Sequence, residues 1–251
     1  MSVRLKVRLY PVAGEATLSE GWRSDDPQEG ESRLANRVAR TASGPLRADR
    51  QEPDGLDGNE ERAGRRARGK VRRFAATNGC TRLLTITRAD QSHEPRVMLA
   101  ALAEFQRRLR ARFPRLVWVR TLERHESGAI HAHYAISHRL DHGTVTRLWG
   151  HGWVWCSPKT RTKRGGREDA RVTARYVAKY IGKEGVREAG GGHRYEVRQG
   201  FQPVSLDLWA EDLEDATAMA SAVMGYRAPT YVWSSSGEPD WAGPPAGFLS
   251  W

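Results

Sequence analysis

Two histidines separated by one residue are the first feature of the sequence that could perform chemistry. His131 and His133 lie in residues 130–136, a segment that we predict to be a strand. Side chains alternate across a strand, so both imidazoles point to the same face. Such a pair is half of a divalent-metal site. An isolated His-x-His pattern, however, more often consists of two partly exposed histidines on a sheet face.

A third ligand for the same metal lies on the preceding predicted strand. Glu123 is eight positions before His131, across a turn at Ser127 and Gly128. A three-residue hairpin loop places Glu123 opposite His131, whereas a two-residue loop places Arg124 there. Glu126 is the fallback ligand, and His125 also lies near the turn.

A pair of tyrosines could supply a nucleophile. Tyr176 and Tyr180 are four positions apart in a predicted helix, and positions i and i+4 share a face. Each is followed three positions later by a lysine, Lys179 and Lys183. A phenol has a pKa of about 10, and a nearby cation favours its phenolate form. The alternative is that both tyrosines pack the helix on the sheet.

The order of these motifs along the chain resembles that of the His-hydrophobe-His (HUH) endonucleases. The resemblance is carried by residues 83–87, by Glu123 with His131-Ala132-His133, and by the Tyr-x2-Lys-Tyr-x2-Lys run that begins at Tyr176. More closely, it is similar to rolling-circle replication initiator (Rep) proteins of plasmids and single-stranded DNA phages, over about residues 65–200. Two departures are the small Ala132 between the histidines and the lack of an aromatic residue at Thr87-Arg88.

The resemblance implies a mechanism and a role for each residue. His131, His133 and Glu123 would bind Mg²⁺ or Mn²⁺, which would polarise the scissile phosphate. Tyr180 would be the primary nucleophile and Tyr176 its partner, and Lys179 and Lys183 would orient the phosphate. The product would be a 5′-phosphotyrosine link and a free 3′-hydroxyl that primes synthesis. The expected partners are a single-stranded origin hairpin, a host helicase and a DNA polymerase.

Other functions fit parts of the same pattern. A plasmid-mobilisation relaxase or a single-strand transposase would use the same chemistry on different DNA, although transposases tend to be shorter. A repressor that has lost catalysis would bind DNA without cutting it. Against the repressor, both histidines and both tyrosines are present, and no helix-turn-helix pattern stands out.

Positive charge points towards a polyanion such as nucleic acid. The chain has a net charge of +11, although its 35 Arg against 6 Lys can also reflect a GC-rich genome. Two basic segments are expected to contact DNA phosphates, with a solvated basic face as the alternative. Their predicted DNA-binding residues are Arg65, Arg66, Arg68, Lys70, Arg72 and Arg73 in the first segment and Lys159, Arg161, Lys163 and Arg164 in the second. Gly64 and Gly69 predict that the first segment is a helix with breaks.

The elements that must position these residues follow the order β-α-β-β-α-β-α. The pattern predicts an α+β fold, a central antiparallel sheet with flanking helices of the ferredoxin-like or RRM-like kind that HUH endonucleases share. The predicted strands are 82–87, 116–122, 130–136 and 153–156. The predicted helices are one capped by Ser92 with Pro95 in its first turn, one at 144–150 and one at 169–184.

The chain divides into three predicted parts. Residues 1–60 form a partly disordered arm with one strand near its start, where Val3, Leu5, Val7 and Leu9 alternate with basic residues. Residues 61–200 form the catalytic domain. Residues 201–251 form a C-terminal extension with a helix at 211–224 and a loose tail from Ser234.

Several classes of protein are excluded. There is no run of about 18 apolar residues, so no membrane span is expected, and the N-terminus does not resemble a secretory signal. Two cysteines are too few for a disulfide scaffold, which makes a reducing cytoplasm the default location. Residues 64–70 match the spacing of a phosphate-binding loop, but Val71 stands where Ser or Thr would bind Mg²⁺. Without an ATPase, duplex unwinding would depend on a host helicase.

Overall fold

The computed structural model describes residues 2–23, 56–90, 93–181, 195–241 and 243–251. These residues form two compact units. We call Leu56–Pro203 the central unit, and Met1–Gly55 together with Val204–Trp251 the terminal unit. Among the described residues, no helix is long and apolar enough to cross a membrane.

The central unit contains a five-stranded antiparallel sheet with helices on both faces. In spatial order its strands are β6, β3, β5, β4 and β7. The elements in chain order are α1 (Leu56–Thr77), β3 (Arg82–Arg88), α2 (Pro95–Arg112), β4 (Trp118–Arg124), β5 (Ile130–Ile136), α3 (His142–Trp149), β6 (Gly152–Cys156), α4 (Gly166–Ala178), a 3₁₀ turn (Lys179–Ile181) and β7 (Glu196–Val197). From β3 onward this is the predicted β-α-β-β-α-β-α order, so the α+β fold class is confirmed.

Strand alternation sends the two halves of each strand's side chains to different layers. On one face, Leu84, Ile86 and Tyr134 pack with residues of α2 and α3, such as Phe105 and Trp149. The opposite face packs against α1 and α4, and its core includes Val119, Ala135, Val71, Phe74 and Val177. Since His131 and His133 have the same parity as Ala135 on β5, they lie on the face that α4 covers.

Two predicted helices differ from those observed. Helix α1 runs without a break through Gly64 and Gly69. Its apolar stripe of Ala67, Val71 and Phe74 is buried in the core, and that packing outweighs a glycine cost of about 1 kcal/mol each.

The helix predicted over 169–184 is α4, which ends at Ala178 and is followed by the 3₁₀ turn. Ser92, the predicted cap of α2, lies outside the described residues. Glu94 occupies the capping position without a side-chain bond.

The terminal unit is a second five-stranded sheet built from both ends of the chain. Its strands are β1 (Ser2–Tyr10), β2 (Glu15–Arg23), β8 (Leu206–Ala210), β9 (Tyr231–Ser234) and β10 (Ala246–Ser250), in the spatial order β8-β1-β2-β10-β9. Helix α5 (Leu213–Val223) packs on one face, where Val7, Leu9, Leu18 and Leu249 are buried with Ala216.

The strand expected near the N-terminus is therefore β1, and the helix expected at 211–224 is α5. The tail expected to be loose from Ser234 contains β10, whose Leu249 is fully buried. The structure thus joins the start of the predicted arm to the predicted C-terminal extension in one sheet. The rest of the arm, residues 24–55, lies outside the described residues.

Candidate active site

The three predicted metal ligands come together on the α4 face of the central sheet. Glu123 of β4 stands directly opposite His131 of β5. A backbone bond of 2.8 Å from His125 N to Ala129 O closes a three-residue loop, the one that puts Glu123 rather than Arg124 opposite His131. One ligand atom from each of Glu123, His131 and His133 lies within 4.8 Å of the others. We call these three residues the ligand triad.

Arg124, the residue that the alternative register would have placed here, turns away to the loop. Its guanidinium donates to the carbonyl oxygens of His93 and Gly128, at 3.2 and 3.1 Å. Gly128 has a φ of +86°, and an added Cβ there would lie 2.7 Å from the His93 ring. The turn therefore needs glycine both for its conformation and for space.

His133 is held from both sides of its ring. It is only 4% exposed. Its Nε2 lies 2.7 Å from Glu123 Oε2, and its Nδ1 lies 3.0 Å from the hydroxyl of Thr85. Thr85 stands opposite His133 in the pairing of β3 with β5. The sequence analysis missed this role, although threonines in the strand of the first motif were its available signal.

The electrostatics of the triad favour neutral imidazoles. Burial lowers the pKa of His131, and the nearby His125 lowers it further. Burial also lowers the pKa of His133, although the contact with Glu123 works in the opposite direction. Neutral imidazole nitrogens and a carboxylate oxygen are donors for divalent ions. The residues present therefore fit a divalent metal.

The fallback ligands lie outside this cluster. His125 and Glu126 are exposed in the turn, and the only group of three or more candidate ligands among the described residues is the triad. The His125 ring stacks on that of His131, with a centroid distance of 5.2 Å and an interplanar angle of 7°. His125 therefore covers one side of a ligand.

Both tyrosines contact the triad, but in different environments. Tyr180 lies in the 3₁₀ turn after α4, is 4% exposed, and stacks on His133 at 4.3 Å between ring centroids. Tyr176 lies on α4, is 40% exposed, and meets the His133 ring edge-on at 6.1 Å. The hydroxyl of Thr121 donates to the carbonyl of Val177 at 3.1 Å, which ties this part of the helix to the sheet.

One of the two predicted lysines can be located. Lys179 Nζ lies 4.7 Å from the Tyr176 ring centroid and 4.6 Å from that of Tyr180. Burial raises the pKa of Tyr180, and interactions of its hydroxyl with Tyr176 and Glu123 raise it further. Lys183 lies outside the described residues.

The predicted DNA-binding cations occupy two other places in the central unit. On α1, Arg65, Arg66 and Lys70 are exposed, and Arg68, Arg72 and Arg73 are partly exposed. The loop after β6 exposes Lys159, Arg161, Lys163 and Arg164. The buried Asp169 holds this loop by accepting bonds of 2.6 and 2.9 Å from Thr162.

A cleft beside that loop is also lined by cations. It has a volume of about 630 Å³, and Arg82, Arg139, Lys159 and Arg161 line it together with Asp141. Neither the triad nor the two tyrosines are among its lining residues. The cleft is therefore separate from the candidate active site.

Comparison with known protein families finds one similarity. The family model for replication-associated proteins of the ORF2 type matches residues 81–185. The matched range contains the triad, Thr85 and both tyrosines. Curated proteins and solved structures yield no match.

Proposed function

We propose that this protein initiates rolling-circle replication by nicking and rejoining single-stranded origin DNA through a tyrosine. The observation that carries the proposal is the packing of two tyrosines against His133 of the ligand triad. A group able to hold a divalent ion and two groups able to attack phosphorus thus share one site. The similarity to replication-associated proteins over residues 81–185 supports the same function.

The triad would hold Mg²⁺ or Mn²⁺, which supplies Lewis-acid polarisation of the scissile phosphate when bound. Thr85 would set the orientation of the His133 ring. When Nε2 serves as the ligand atom, Nδ1 carries the proton and donates it to the Thr85 hydroxyl, which is 3.0 Å away. Glu123, opposite His131, contributes the one negative charge of the triad.

A tyrosine hydroxyl would carry out the transfer. Its oxygen forms a bond to phosphorus as the phosphorus–O3′ bond breaks. The phenol gives up its proton, and the departing 3′ oxygen gains one to become a free hydroxyl. Because the number of phosphoester bonds is conserved, the reverse reaction rejoins strands. The Lys179 ammonium, close to both rings, favours the phenolate and can pair with the phosphate.

The two tyrosines are suited to successive steps. Tyr180 is the proposed primary nucleophile because its hydroxyl interacts with Glu123 and its ring stacks on His133. Its burial means that the incoming strand must displace or enter its surroundings. Tyr176 is the proposed partner, and its exposure lets it reach a second strand. One tyrosine would start replication and the other would end it.

The proposal also specifies partners. The free 3′-hydroxyl requires a DNA polymerase to extend it, and the displaced strand requires a helicase. Both would come from the host. The basic residues of α1 and of the loop after β6 would hold the phosphates of the strand.

An adduct assay tests the proposal. The protein is incubated with Mn²⁺ and a pool of labelled single-stranded hairpin oligonucleotides, and covalent complexes are resolved on a denaturing gel. We expect an adduct that peptide mapping assigns to Tyr180 or Tyr176. Tyr180→Phe should remove most of it, and Tyr180→Phe with Tyr176→Phe should remove all of it. Tyr226→Phe, in the terminal unit, serves as the control.

Two outcomes would contradict the proposal. Tight binding of the hairpins without an adduct under any divalent metal would favour a DNA-binding repressor. An adduct that persists in the double variant would place the nucleophile elsewhere. A relaxase or a single-strand transposase would form the same adduct but would be distinguished by the oligonucleotide that it selects from the pool.

A further inference from the structure

The edge strand beside the candidate active site carries two exposed tryptophans. Strand β6 is the first strand of the central sheet and pairs only with β3 among the described strands. Trp153 is 59% exposed and Trp155 is 51% exposed. Neither indole has a hydrogen bond or ring contact within the described part of the chain. The intervening Val154 packs against the core on the other face.

The register places these indoles in line with the ligand triad. One row across the sheet runs Glu123, His131, Thr87 and Trp153, from β4 to β6. The next row runs Thr121, His133, Thr85 and Trp155. All of these side chains have the parity of the α4 face. Trp153 and Trp155 therefore stand two strands from the histidines, about 10 Å away at the usual spacing.

We propose that Trp153 and Trp155 form a stacking platform for unpaired bases of the DNA strand whose phosphate enters the triad. The inference rests on the proposed function, since it concerns the substrate of the same site. Exposed aromatic side chains on one face of a sheet bind single strands because every base has a face that can stack. In a duplex those faces are already covered by neighbouring bases, so the platform selects single-stranded DNA.

The charge next to the platform fits the same ligand. Strand β6 leads directly into the loop that exposes Lys159, Arg161, Lys163 and Arg164. Basic groups beside stacking aromatics are the combination that holds a single strand, with bases on the rings and phosphates on the cations. A protein partner would not require this density of positive charge.

Binding measurements without chemistry test the platform. A labelled single-stranded oligonucleotide of mixed sequence and its duplex are titrated in EDTA with the Tyr176→Phe, Tyr180→Phe protein as the parent. We expect Trp153→Ala and Trp155→Ala each to weaken single-strand binding about 10-fold, the effect of losing one base stack. Phe at the same positions should keep most of the affinity, and duplex binding should not change. Trp241→Ala, which removes an exposed indole from the terminal unit, is the matched control.

A crosslinking measurement on the protein with native tryptophans covers the case of alanine variants that fail to fold. Oligonucleotides carrying iodouracil are irradiated in the complex, and we expect crosslinked peptides that contain Trp153 or Trp155. Crosslinks confined to other segments would overturn the inference.

Other outcomes separate the platform from the nuclease. Unchanged single-strand affinity in the double alanine variant, while the wild type forms its adduct, would overturn the platform and leave the nuclease standing. Loss of single-strand binding in that variant, with no adduct from the wild type, would support the platform and contradict the nuclease. A parallel loss on duplex DNA, or a changed oligomeric state with unchanged affinity, would also overturn the platform.

Discussion

The two sheets of this protein use the same local arrangement for different ends. In the central sheet, Glu123 lies opposite His131, and His133 is two residues further along the same strand. The terminal sheet repeats this arrangement: Asp207 lies opposite Arg8, with Lys6 two residues away. In both, a carboxylate on one strand meets two nitrogen-bearing side chains on its neighbour.

The nitrogen groups make the difference. Arg8 and Lys6 are permanent cations, and both contact Asp207, at 2.7 and 2.9 Å. The bond from Arg8 holds the pKa of Asp207 well below its usual range. In the central sheet, burial keeps the imidazoles neutral by lowering their pKa values, so Glu123 retains a charge that no cation of the triad neutralises. One arrangement is a finished ion pair, and the other has free donor atoms for a metal.

Removing both imidazoles should break this difference most completely. We expect His131→Ala with His133→Ala to abolish Mn²⁺ binding in calorimetry and adduct formation on the gel, because one carboxylate cannot hold the ion. Asp207→Asn should leave both measurements unchanged. Metal binding that survives the double alanine substitution would show that the ligands are elsewhere.

The threonine behind His133 should have the next largest effect. Thr85→Val removes the partner of His133 Nδ1 while keeping the shape of the side chain. We expect metal affinity or adduct rate to fall about 10- to 100-fold, the usual cost of losing a group that orients a ligand. Thr85→Ser keeps the hydroxyl and should restore most of the loss. Equal behaviour of the valine and serine variants would assign Thr85 a packing role only.

The choice of metal sharpens the comparison further. Mg²⁺ prefers an all-oxygen shell, whereas imidazole suits later divalent ions. We therefore expect the triad to bind Mn²⁺ at least about 10-fold more tightly than Mg²⁺, as measured by calorimetry on the Tyr176→Phe, Tyr180→Phe protein. Equal or tighter binding of Mg²⁺ would contradict a site built on two imidazole ligands.

The ion pairs of the terminal sheet should have the smallest effect. Asp207 is more than a third exposed, so solvent weakens its pairs with Arg8 and Lys6. We expect Asp207→Asn to lower the free energy of unfolding by at most about 1 kcal/mol in urea titrations. The difference should shrink in about 1 M salt, which screens exposed charges. A larger, salt-independent loss would mean that Asp207 has a structural role beyond these pairs.

The central unit was more predictable from the sequence than the terminal unit, for a reason visible in particular elements. The strand with Leu84 and Ile86, and helix α2 with Met98, Leu102, Phe105 and Leu109, carry clear periodic patterns. Strand β2 was not predicted, because Ala16 and Leu18 are too few to form a pattern alone. Its partners β1 and β10 come from the two ends of the chain.

Within the candidate site, the sequence by itself determined that His131 and His133 share a face and that Tyr176 and Tyr180 lie one helical turn apart. Both follow from the local geometry of strands and helices. Only the tertiary structure decided the loop register that brings Glu123 to His131, the hydroxyl of Thr85 behind His133, and the burial of Tyr180 against exposed Tyr176. These depend on which strands pair and on what packs above them, and such contacts join residues far apart in the chain.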